Sequence, residues 1–138
     1  MPMMRAIPLA ALLMAPLPAL ALDGSRPMTG AEFDAYTLGQ TLTFGVDGVP
    51  YGIEQYLPNQ RVLWSFIGEE CREGSWFEAA PQICFVYDDE PGRLHCWTFY
   101  DTGNGLRARF GDDPEGTELI EVLRSPAPMM CEGPLVGA

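Results

Sequence analysis

An all-β domain with one short N-terminal helix is the fold class this sequence predicts, its strands forming an eight-stranded antiparallel up-and-down barrel. Three observations lead there. Short runs of alternating apolar and polar residues repeat from about residue 41 onward, separated by Gly, Pro, Asn and Asp turn signals. Folded at those turns, the runs place their large apolar residues on one common face. A sheet of this kind removes its exposed edges by closing on itself. A β-sandwich is the alternative.

The first 21 residues read as a secretory signal peptide. Arg5 gives a short positive start, an apolar run covers residues 6 to 20, and Ala19-Leu20-Ala21 places small residues where a signal peptidase reads. The run is too short and too rich in proline (Pro8, Pro16, Pro18) for a membrane span. Residue 22 is Leu rather than Cys, so no lipid anchor is expected at the new N-terminus. The expected working chain, residues 22–138, is a single disulfide-stapled domain, exported to the periplasm or outside the cell, monomeric, and not inserted in a membrane after cleavage.

Thr29 caps the one helix, Glu32 is the return half of a capping box, and Met28 and Phe33 form a hydrophobic staple. Gly39 ends it. Asp47-Gly48 then turns the first hairpin, setting Phe44 opposite Tyr51 and Leu42 opposite Ile53. A turn at Pro58-Asn59 brings Val62 and Trp64 to the same face and leaves Glu54 and Arg61 on the other. Turning at Gly68-Glu69-Glu70 sets Trp64 opposite Gly74 and Val62 near Trp76. The following strands add Ile83, Phe85 and Tyr87, then His95, Trp97 and Phe99. After Gly103-Asn104 come Leu106, Ala108 and Phe110, with Arg107 and Arg109 outside. The last strand, about residues 118 to 124, is apolar on both faces and leaves its register open.

Four cysteines in a small exported chain read as two disulfides. A hairpin centred on residue 90 sets Cys84 opposite Cys96 on the outer face, leaving Cys71 to join Cys131 and strap the Pro126, Pro128, Pro134 tail along the barrel. This is one of three possible connectivities.

In order along the chain stand a capped helix running into Gly39-Gln40-Thr41, then Gly74-Ser75-Trp76, Ile83-Cys84-Phe85-Val86-Tyr87 and Cys96-Trp97. That order resembles small exported bacterial domains of unknown function with a calycin-like, lipocalin-shaped barrel, over about residues 28 to 100. The resemblance implies the barrel and transfers no activity. True lipocalins place Gly-x-Trp at the start of the first strand, whereas here it falls on the fourth, so retinoid-type binding is not implied.

Composition narrows the chemistry. The chain has no lysine, which excludes Schiff-base catalysis, Ser-x-x-Lys and P-loop arrangements. After residue 22, seven arginines face nineteen acids, a net charge of about −12 that repels nucleic acid and anionic lipid. One histidine and widely spaced cysteines disfavour zinc, and no acidic run has EF-hand spacing. His95 and Cys96 are neighbours on a strand and point to opposite faces, so they form no catalytic dyad. No serine sits in a nucleophile-elbow sequence. Neither catalysis nor a cofactor is expected.

The expected function is non-catalytic binding of a small apolar or aromatic ligand inside the barrel. The candidate interior is Tyr51, Trp64, Trp76, Phe85, Tyr87, His95, Trp97 and Phe99, with His95 hydrogen-bonded near the mouth. The alternative is a protein-interaction module or inhibitor docking a cationic protein. Its acidic mouth would gather Asp47, Glu69, Glu70, Asp88, Asp89, Glu90, Asp112, Asp113 and Glu115 from turns at one barrel end. Plain core packing of the rings and a merely solvated acidic rim are the bland counterparts of the two readings.

Overall fold

The computed structural model describes residues 26–131 throughout, with residue 24 and scattered earlier positions (2, 3, 11 and 13–16). Most of the segment read as a signal peptide lies outside the described residues, as do Leu22 and Pro134.

Thr29 starts the helix α1 (Gly30–Thr37). Its hydroxyl accepts from the Glu32 N–H at 3.2 Å and the Glu32 carboxylate accepts from the Thr29 N–H at 3.0 Å, completing the capping box. Met28 and Phe33 are both buried, and Gly39 follows the helix in a left-handed conformation with φ 77°. Eight strands come next: β1 (Thr41–Val46), β2 (Val49–Leu57), β3 (Arg61–Phe66), β4 (Arg72–Ala79), β5 (Gln82–Tyr87), β6 (His95–Asp101), β7 (Leu106–Phe110) and β8 (Glu118–Ser125). Each pairs antiparallel with the next and β8 pairs with β1, so the sheet is a closed barrel and not a sandwich.

The helix closes one end. The Met28 N–H donates to the Phe99 carbonyl at 2.8 Å, the Gly39 N–H donates to the Tyr56 carbonyl at 3.0 Å, and the Gly30 N–H donates to the Glu78 carboxylate. Phe33 enters the barrel from this end and is 0% exposed. Its ring packs against Phe99, Trp76, Tyr56 and Phe85 at centroid distances of 4.6, 5.1, 5.5 and 6.2 Å.

Two registers differ from the sequence expectation, and a third, left open by the sequence, is settled. Asp47 (φ 49°) and Gly48 (φ 79°) make the two-residue turn, but a bulge shifts the register between Phe44 and Gly45. Phe44 therefore faces Gly52 instead of Tyr51, and Leu42 faces Glu54 instead of Ile53. A one-residue slip exchanges faces, so Gly52, Glu54 and Tyr56 are buried, and Glu54 points inward rather than out with Arg61. The Trp64 indole lies where a Cβ on residue 52 would stand, a position only glycine can take. Between β3 and β4, Trp64 faces Arg72 and Val62 faces Gly74, a shift of two that keeps every side chain on its expected face. On β8, Leu119 is buried in the core while Ile120, Val122 and Leu123 are exposed, which settles the open register.

Two disulfides join Cys84 to Cys96 across β5 and β6, and Cys71 to Cys131. The second holds a tail that also lies along β1 and β2: the Thr41 hydroxyl donates to the Ala127 carbonyl, and the Met129 N–H to the Gln55 side chain.

Candidate functional site: a ring-walled cavity with one buried carboxyl

Above the rings that surround Phe33, the barrel retains a cavity of about 90 Å³. Inward positions on β1 to β8 supply its wall because strand alternation sends every second side chain inside. Tyr51, Trp64, Phe85, Tyr87, His95, Trp97 and Phe99 all line it, together with Phe44, Glu54, Phe66, Arg72, Ala108 and Leu119. Trp76 is not part of the lining; it packs on Phe33 at the helix end.

The rim opposite the helix carries a trio of rings. Tyr51 lies 5.3 Å from Phe66 and 6.2 Å from Trp64, and Trp64 lies 5.4 Å from Phe66. The β1–β2 bulge leaves Tyr51 partly exposed at the edge of the sheet, so it covers the cavity from the rim rather than from the inner face. Arg72 stacks on the Tyr87 ring, its guanidinium 4.5 Å from the centroid. The same guanidinium is held outward by Asp89, to which Nη2 donates at 2.8 Å, with Glu90 at 3.6 Å.

Among the described residues Glu54 is the one carboxyl lining the cavity, and it is 4% exposed. The Tyr56 hydroxyl donates to one of its oxygens at 3.1 Å and the Tyr87 hydroxyl to the other at 3.4 Å. Burial raises the Glu54 pKa to about 8, against the opposing pull of the two hydroxyls. Burial also drives both tyrosines well above their usual range, and the neighbouring Glu54 charge adds to this. His95 lies 5.6 Å, ring to ring, from Tyr87. Among the described residues its Nε2 is buried without a hydrogen-bond partner, contrary to the expectation of a bonded histidine, and burial lowers its pKa, assisted by Arg93 and Arg72.

The acidic turns are less free than their count implies. Arg61 makes a two-bond pair with Asp88, Arg72 with Asp89, and Arg93 lies 3.7 Å from Glu90. These hydrogen bonds hold the Asp88 and Asp89 carboxyls below the usual range. Asp112 accepts from Gln82 at 3.1 Å, and Asp113 accepts from the Glu115 N–H at 2.9 Å within its own turn. Asp47, Glu69 and Glu70 are exposed on their turns.

Among the polar members of the cavity wall, Glu54 and Arg72 escape a reading from sequence. Glu54 is hidden by the bulge, for which Gly52 inside a strand is the available signal. Arg72 has the inward parity of Gly74 and Trp76, but a charged residue beside the Gly68-Glu69-Glu70 turn reads as solvent-facing. Comparison with family models, with curated proteins and with solved structures gives no match. Fold and cavity therefore define the class: a closed eight-stranded antiparallel barrel of calycin-like shape, stapled by two disulfides. Among the described residues no helix is long and apolar enough to cross a membrane.

Proposed function

We propose that this protein is an exported, non-catalytic binding barrel that admits a small apolar or aromatic group through the end opposite α1. The cavity is the observation that carries the reading: six aromatic side chains besides Tyr51 and Tyr87 wall it, and one barrel end is already stoppered by Phe33. Packed interiors leave few voids, so a retained space beside a partly exposed ring trio is the natural ligand position. Its size limits the ligand. A cavity of ~150 Å³ holds benzene, so this one takes a single ring only by using its open end as well. Lipids and drug-sized ligands, which need roughly 300 Å³ or more, do not fit. Export is supported by the signal-like leader and by disulfides, which persist in oxidising compartments.

The acidic rim supports docking of a cationic protein less well, because Asp88, Asp89 and Glu90 already serve arginines of this chain. Titration of the protein with a set of small aromatic and apolar compounds tests the proposal by tryptophan emission. Trp64 and Trp97, both in the cavity wall, should change their emission on binding. Unchanged emission across the whole set overturns the reading.

A further inference from the structure

We infer that the cavity selects small ligands bearing a protonated amine, with Glu54 as its counter-charge and the ring trio at the rim covering the attached apolar group. The inference rests on the cavity being a binding site and adds the chemical class of its occupant.

Glu54 is incompletely paired. A carboxyl taken out of water is costly unless a cation or a full set of hydrogen bonds compensates it. Glu54 is buried, lines the cavity, and among the described residues makes no ion pair with any arginine. Arg72, the arginine of the same wall, is directed to Asp89 and Glu90. Both tyrosine hydroxyls donate to Glu54, so the carboxylate formed when it ionises finds two donors in place but no cation. The Tyr87 bond is long at 3.4 Å, so that oxygen in particular retains accepting capacity. A cationic donor is the group missing from this constellation.

The surroundings suit an organic cation. Trp64, Tyr51 and Phe66 line the open end with aromatic rings that cover the ligand's apolar group, and aromatic surroundings favour a nearby ammonium once water is excluded. The charged and titratable groups facing Glu54 are Tyr56 on its own strand, Tyr87 on β5, Arg72 on β4 and His95 on β6. The tyrosines stay neutral, burial keeps His95 toward its uncharged form, and Arg72 is countered by Asp89. A net acidic molecule also draws cations toward the open end.

The proton balance gives a signature. With its pKa raised to about 8, Glu54 is mostly protonated in the empty cavity at neutral pH. Binding an ammonium ligand ionises it: the carboxyl O–H breaks, its proton leaves to solvent, and the carboxylate receives the ammonium N–H.

Benzylamine, benzyl alcohol and toluene are suitable probes, titrated into the full protein with its disulfides intact and followed by tryptophan emission and calorimetry. Benzylamine should bind at least about tenfold more tightly than benzyl alcohol, with proton release at neutral pH. Its affinity should rise between about pH 6 and about pH 8. In Glu54→Gln, the ratio of benzylamine to benzyl alcohol affinity should fall to about one. The wild-type comparison across pH needs no variant, so the test stands even if Glu54→Gln folds poorly. Equal binding of benzylamine and benzyl alcohol, or an unchanged preference in a folded Glu54→Gln, overturns the amine inference and leaves the cavity reading intact. Silence from all three probes overturns both.

Discussion

Replacing Phe33 with Ala should remove much of the protein's stability, because one side chain stoppers the barrel. Phe33 is fully buried and contacts four rings contributed by β2, β4, β5 and β6. Deleting a buried phenyl group costs about 3–5 kcal/mol, more where the surroundings cannot relax into the space. Here they cannot relax easily, since every strand is hydrogen-bonded on both sides in a closed barrel. We therefore expect about 4 kcal/mol, close to a thousandfold in the folding equilibrium. Leu38→Ala serves as control: Leu38 is 48% exposed at the end of the same helix and should cost within about 1 kcal/mol. Urea unfolding followed by tryptophan emission, disulfides intact, measures both. A Phe33→Ala loss below about 1.5 kcal/mol, or one equal to that of Leu38→Ala, would refute the role given to α1.

Glu54 makes stability depend on pH in a definite direction. Its folded-state pKa of about 8 lies above the ordinary 4.5, so above pH 4.5 the folded protein keeps a proton that the unfolded chain has lost. Stability should fall as pH rises from 4.5 to about 8 and then level off, by at most about 1.4 kcal/mol per unit. Glu54→Gln should flatten that slope in urea titrations at successive pH values; an unchanged slope would assign it elsewhere. Replacing Cys84 and Cys96 by Ala should cost about 3 kcal/mol, and replacing Cys71 and Cys131 about 4 kcal/mol, because the second bond closes the longer loop. Denaturant midpoints of the two double variants, compared at equal m, check both the size and the order.

Much of the architecture is legible from short-range pattern alone. Hairpin turns carry their own chemistry, as at Asp47-Gly48, and pairing by arithmetic from such turns brings Cys84 beside Cys96 and keeps Trp64, Phe85, Tyr87, Trp97 and Phe99 on one face. What counting residues from a turn misses is the tertiary demand of a single large ring. Trp64 occupies the space over Gly52, and the β1–β2 ladder accommodates it with a bulge that exchanges the faces of Ile53 and Glu54. The cavity's carboxyl thus looks like an outer-surface acid until the ring is placed. The acidic turns show a related limit. Their position follows from topology, but side chains such as Asp88 and Asp89 reach arginines on the wall, a choice that depends on three-dimensional neighbours. On β8, apolar residues on both faces leave the register undetermined by pattern, and pairing with β1 and β7 decides it.

Entry of a ligand into the ring-walled cavity can be told from binding elsewhere by the three tryptophans. Trp64 and Trp97 line the cavity, whereas Trp76 packs on Phe33 at the closed end. Indole N–H resonances recorded by nuclear magnetic resonance during titration with benzyl alcohol report on each separately. Binding in the cavity should give saturable shifts of the Trp64 and Trp97 signals with Trp76 unmoved. Shifts confined to Trp76, or no shift of any indole at saturating ligand, would contradict it.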